Sequence, residues 1–226
     1  MNYLVVVAHP DDEVLGAGAT IKKLTDEGHI VDVCIMSTEA RARAARPEDH
    51  ELTQDMESSS EILGIRKTFH GTFPNIEMNT ISHLHLVQYI ETVIIESKPD
   101  VVITHHAADT NNDHLQTSIA CQAAFRIFQR REDVKPIQEL WFMEVLSSTE
   151  WNVNSSRNSF NPNLFVEVGK ERIDKKLEAL SMYRGVMRDY PHPRSHESIK
   201  GLAAYRGTQA KCNYSEAFEC VFRRMI

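Results

Sequence analysis

No stretch of the 226 residues stays apolar over the roughly 18 positions that a membrane-spanning helix needs. No block of basic residues occurs either, and the formal net charge is −7. The chain therefore lacks the electrostatic footprint of a nucleic-acid or membrane-surface partner. Its first residues run straight into an apolar segment, without the charged head and cleavage site of a signal peptide, so the expected location is the cytoplasm. Cysteine is scarce: Cys34, Cys121, Cys212 and Cys220 are scattered with no CxxC spacing, which argues against a thiolate zinc site. Cys34 and Cys121 lie in apolar segments and are expected to be buried, reduced thiols. The dinucleotide fingerprint GxGxxG is missing as well. "GAG" at 16–18 has the wrong spacing, and acidic residues stand where a phosphate would bind. Internal repeats and low-complexity tracts are lacking too.

What is present is the composition of an ordinary globular chain, 42% hydrophobic and 25% charged, long enough for one domain over 1–226 with a sizeable core. Short segments read as strands at "YLVVVA" (3–8), a nearly continuous apolar run, and at "IVDVCIM" (30–36), "KTFHG" (67–71), "DVVIT" (100–104) and "IQELWFMEVL" (137–146). Between them lie helical patterns over 13–28, 51–64, 82–98 and 115–131. This alternation implies βαβ units and a mostly parallel sheet. From about 147 the pattern changes. Residues 147–163 read as a polar loop, 170–185 as a helix closed by a glycine, and 191–207 as a Pro-rich start followed by a helix. "EAFECVFRR" (216–224) reads as an edge strand or a last helical turn.

Ligands of open α/β sheets collect beyond the carboxyl ends of the strands, and two of these ends carry metal-type residues. His9, Asp11 and Asp12 follow the first strand. His105 and His106 follow the fourth, and "DTNNDH" then supplies Asp109, Asn111, Asp113 and His114. Taken singly, such residues are usually helix caps or satisfied polar groups. Two clusters at strand ends are a stronger signal, because they share one mouth if the strands are neighbours. Two histidines and a carboxylate, with a position left for water, form a common catalytic zinc set.

"AHPDDE" (8–13) and "DTNNDH" (109–114) resemble the paired signature motifs of the PIG-L/LmbE-like deacetylases, zinc enzymes that release acetyl groups from N-acetylglucosamine-type sugars. The later segments "EVLSSTEW" (144–151), "FNPNLFVEV" (160–168), "KKLEALSMYR" (175–184) and "HPRSHESIKGLAAYRG" (192–207) extend the resemblance over most of the chain. It implies a Rossmann-like three-layer α/β sandwich, with the part beyond about 147 completing the substrate pocket. It also implies zinc, or another divalent ion, held by His9, Asp12 and His114, with Asp11 as general base. Asp113 is then expected to orient a metal-bound histidine from behind. Arg194 is expected to meet an anionic group on the sugar's aglycone, with His192 beside it. Asn111 stands where some relatives carry a histidine, and it can donate a hydrogen bond but move no proton. In "FPN", Asn75 replaces an aspartate common in relatives. Relatives often form homo-oligomers.

Other expectations come from the residues themselves. Glu13 should serve the first turn of the following helix, where negative charge is favoured. Trp151 is expected to pack in the core rather than to form a sugar platform. Arg41, Arg43 and Arg46 read as a solvated basic loop or a phosphate contact. Two alternatives stay open beside the deacetylase: a metal-dependent hydrolase of another amide, and a sugar- or nucleotide-binding module with a degenerate site.

Overall fold

The computed structural model describes residues 1–39, 47–153 and 159–225. Arg41, Arg43 and Arg46 lie outside the described residues. In chain order the elements are β1 (Asn2–Val7), α1 (Asp12–Asp26), β2 (Ile30–Ile35), α2 (Asp49–Leu63), β3 (Lys67–His70), α3 (His83–Ser97), β4 (Val101–His105), α4 (Asn112–Phe125), β5 (Glu139–Met143), β6 (Leu164–Glu167), α5 (Gly169–Met182), α6 (His196–Ala210) and β7 (Ser215–Arg223). The strands form one seven-stranded sheet in the order β3-β2-β1-β4-β5-β7-β6. β1 to β5 are parallel, and β7 runs antiparallel to both β5 and β6.

Both faces of the sheet are covered, which explains why β1 and β2 read as nearly unbroken apolar runs. Successive strand residues point to opposite faces. Val5, Val7, Val33 and Ile35 pack with Leu15 of α1, Leu52 of α2 and Ile173 and Leu177 of α5. Leu4, Val6, Cys34 and Val102 pack on the other side, with Leu86, Ile90 and Ile94 of α3 and Ala120 and Ala124 of α4. Each fully buried aliphatic side chain of this kind contributes about 1.5–3 kcal/mol relative to exposure. The result is the three-layer α/β sandwich with a mostly parallel sheet that the sequence leads one to expect.

The topology places the site. From β1 the chain winds outward through β2 to β3, and α3 then carries it back to β4 on the other flank of β1. The loops after β1 and β4 thus leave neighbouring strands in opposite directions and open a crevice between them. The two motif loops share one mouth.

Two expectations need correction. β7 is neither an edge strand nor a helical turn: it lies between β5 and β6, and β6 forms the edge. Trp151 is not in the core, being 59% exposed. It ends a one-turn 3-10 helix, Thr149–Trp151, in which Thr149 is the buried residue. Glu13 lies in the first turn of α1, as expected, and is buried there. Cys34 and Cys121 are buried free thiols, as expected. Among the described residues no helix is long and apolar enough to cross a membrane.

Candidate metal centre in the β1–β4 crevice

β1 ends at Val7, and the next residues turn sharply into α1. His9 is oriented from two sides: its Nε2 lies 2.9 Å from Asp113 Oδ2, and its Nδ1 lies 3.4 Å from Asp12 Oδ2. The His9 backbone N–H also donates to Asp12 Oδ2 at 2.9 Å. His114, in the first turn of α4, has its Nε2 3.2 Å from the same Asp12 oxygen and its Nδ1 3.1 Å from Asp109 Oδ2. One nitrogen of each imidazole and one oxygen of Asp12 therefore converge, within 4.8 Å of one another. The far nitrogen of each ring is backed by a carboxylate, an arrangement that fixes the tautomer and raises ligand basicity.

The backing carboxylates are themselves tied down. Asp113 accepts the Ile76 N–H at 2.6 Å and the Met78 N–H at 3.0 Å as well as the His9 ring. Asp109 accepts Thr149 Oγ1 at 2.8 Å and the Ser148 hydroxyl. Glu150 in turn accepts the backbone N–H of Ser147 at 2.6 Å and of Ser148 at 3.0 Å, which closes the loop after β5 against the site. Asn111 is the N-cap of α4, and its side-chain oxygen accepts the Asp113 N–H at 2.9 Å.

The electrostatics follow from these contacts. Burial disfavours charge on His114, yet Asp12 and Asp109 outweigh it and push its pKa up to about 10. Burial likewise opposes charge on Asp12, but the His114 and His9 contacts hold its carboxyl well below the usual range. The donor set suits a divalent ion: two imidazole nitrogens and one carboxylate oxygen, supported from behind.

A second group, His105, Asp109 and His114, is also close together but is a poorer cage. The His105 and His114 rings stack with centroids 3.9 Å apart and planes 16° from parallel. Lone pairs lie in the ring planes, so they do not converge on one ion. His105 acts as a buried spacer: its Nε2 accepts the Ala8 N–H at 2.9 Å, and burial lowers its pKa to about 3. His106 turns away, with Nε2 3.4 Å from Glu219 Oε2.

Asp11 lies outside the ligand set. Its φ of 101° is a left-handed conformation that favours glycine, and such strain costs on the order of 1–3 kcal/mol. Asp11 Oδ2 lies 3.3 Å from Arg194 Nη1, and Arg194 Nε donates to Ser147 Oγ at 2.8 Å. Arg194 and Asp11 are therefore in one mouth, although they come from opposite ends of the chain. His192 is exposed, and its Nδ1 accepts the Arg194 backbone N–H at 3.0 Å.

Glu13 accepts the Asp11 N–H at 3.1 Å through one oxygen and the Tyr183 hydroxyl at 2.5 Å through the other. Burial, reinforced by Asp11 and Asp12, raises its pKa to about 8. It stands in the first turn of α1 and serves that turn by accepting the N-cap N–H. Sequence reasoning did not find the parts played by Tyr183, Ser148 and Thr149. Asp109 opens the second motif, and that position was its only signal.

The protein-family model described as PIG-L, GlcNAc-PI de-N-acetylase, matches residues 4–125. The chain is 29% identical over 189 residues to the uncharacterized deacetylase YaiS of Escherichia coli K12, covering 80% of this chain and 89% of that one. It is 31% identical over 105 residues to the diacetylchitobiose deacetylase of Thermococcus kodakarensis, covering 44% and 39% respectively. Among solved structures, GalB, the 4-carboxy-2-hydroxymuconate hydratase of Pseudomonas putida KT2440, superposes with a TM-score of 0.78 at 21% identity, covering 100% of this chain and 98% of that one. That last likeness is one of fold alone.

Proposed function

Since the chain belongs to the PIG-L family of de-N-acetylases, we propose that it is a zinc-dependent hydrolase that removes the acetyl group from a small N-acetylglucosamine-type conjugate. The observation that carries this reading is the convergence of His9, Asp12 and His114 on one point, with Asp11 beside them and outside the set. Three protein ligands leave a position open for water or substrate. An ion held there would bring the pKa of a water to about 7 and polarise the acetyl carbonyl.

The chain's own residues do the rest. Asp113 and Asp109 hold His9 and His114 in register. Asp11 accepts the proton of the attacking water. As the C–N bond breaks, the same carboxyl returns that proton to the departing nitrogen, giving acetate and a free amine. Asn111 spends its carbonyl oxygen on the α4 cap, so only its amide N–H groups are available to a substrate. Arg194 steadies Asp11 and presents its guanidinium to a phosphate or carboxylate of the aglycone.

The test is acetate release across a panel of N-acetylglucosamine conjugates, with the metal content of the protein measured. The expected result is one acetate per amine formed, lost on chelation and restored by zinc or another divalent ion. A protein that takes up no metal and releases no acetate from any of them would instead be a binding module.

A further inference from the structure

The Asp11 backbone raises a question that the ligand set does not answer. Its φ of 101° and ψ of −25° at the N-cap of α1 set apart two consecutive aspartates. Asp12 Oδ2 faces His9 and His114, while Asp11 Oδ2 faces Arg194. Something must hold this conformation against relaxation.

Three hydrogen bonds of the Asp11 backbone do so. Its carbonyl accepts Val14 N at 3.1 Å and Leu15 N at 2.9 Å, which is ordinary for a helix start. Its N–H donates to Glu13 Oε2 at 3.1 Å. A capping box uses the third helical residue for this reach. Here it is the second, which works because Asp11 is left-handed. Glu13 could spend itself on a solvated surface, but it is only 2% exposed, and its other oxygen accepts the Tyr183 hydroxyl at 2.5 Å. Tyr183 is also 2% exposed and sits at the carboxyl end of α5. The contact spans 170 positions of sequence.

We infer that Glu13 and Tyr183 are positioning residues, a buried brace that fixes the Asp11 backbone so that its carboxylate points at the reacting water. This inference rests on the reading of Asp11 as the base. The Tyr183 ring packs in the core and its hydroxyl clamps Glu13, so Tyr183→Phe separates the two jobs. Expected for Tyr183→Phe is zinc content unchanged, KM within about 2-fold, and kcat lowered roughly 10–100-fold, the scale of a displaced catalytic group. The Asp11 amide hydrogen, followed by NMR exchange, should lose about 10-fold or more of its protection. Glu13→Ala should behave the same way. Glu13→Gln, which keeps an oxygen for the Asp11 N–H, should recover most of the activity.

Wild-type kcat and unchanged Asp11 exchange in both Tyr183→Phe and Glu13→Ala would overturn the brace. So would activity falling only in proportion to lost zinc. If the wild-type protein releases no acetate, the proposed function fails, whereas Asp11 exchange in Tyr183→Phe still decides the brace.

Discussion

Adjacent aspartates with opposite backbone handedness hold the centre of the proposed chemistry. On the proposed reading, Asp12 gives its lone pairs to the ligand set, which leaves it a poor base. Asp11, outside the set, is then the group proposed to take the proton. Asp11→Asn is therefore expected to keep zinc and to lower kcat by roughly 10²–10⁴, with KM little changed. Parallel measurement of kcat and metal content checks this: loss of zinc would make Asp11 a ligand, and wild-type kcat would move the base elsewhere. Arg194→Lys should raise KM more for conjugates with an anionic aglycone than for plain N-acetylglucosamine, because the planar fork binds phosphate or carboxylate better than an ammonium does. An equal effect on both substrates would assign Arg194 to steadying Asp11 alone. At this scale the local motifs were legible, since "AHPDDE" and "DTNNDH" each sit on one turn. The burial of Glu13 was not legible, because its environment is built by Tyr183, far away in sequence. No local pattern tells a buried glutamate from an exposed one.

Elements are joined by groups that hydropathy hides. Lys176 of α5 and Glu216 of β7 form a buried pair at 2.6 Å, inserted against the middle of α1. Lys176 Nζ donates to Leu15 O at 2.7 Å, and Glu216 accepts Ala19 N at 3.2 Å and Thr20 N at 2.6 Å. Side chains thus enter the backbone ladder of the helix that carries Asp11 and Asp12. Gly18 makes room, since a Cβ there would meet the Lys176 stem at 3.1 Å and Val14 at 2.8 Å. Lys176→Met should destabilise the protein by about 3–5 kcal/mol, because Glu216 is left buried without its counter-charge. The double variant Lys176→Met/Glu216→Leu should recover much of that loss. Urea midpoints of the two variants decide, and equal losses in both would show that packing rather than charge matters. This pair also explains why β7 was hard to read. Its first residues, Ser215 and Glu216, are buried polar groups, so the strand lacks both an unbroken apolar run and a clean alternation. A strand's neighbours, moreover, are not written in its own residues. The inner parallel strands β1, β2, β4 and β5 were legible because burial on both faces leaves one apolar signature. The short β6 follows a polar loop and offered none.

On the scale of the whole molecule, the site is a seam. His9 comes from the loop after β1, Asp12 from the start of α1, and His114 from the start of α4. Asp113 ties His9 to the segment holding Ile76 and Met78, and Asp109 ties His114 to Ser148 and Thr149 beyond β5. An ion on His9, Asp12 and His114 would therefore stitch together segments drawn from most of the chain. An ion that binds only the folded form stabilises it by RT ln(1 + [L]/Kd), about 2.7 kcal/mol at a hundredfold excess over Kd. At this size each kcal/mol shifts Tm by roughly 2–4 °C, so chelation should lower Tm by about 5–10 °C. His114→Ala removes a ligand and should abolish the difference between chelated and zinc-loaded samples, even if its own Tm changes. Scans of both proteins with and without chelator, followed by zinc add-back, provide the measurement. A wild-type Tm indifferent to chelator, or a shift that persists in His114→Ala, would mean that the seam is held by the Asp12–His114 and His9–Asp113 contacts alone and that the three converging atoms do not form the metal site.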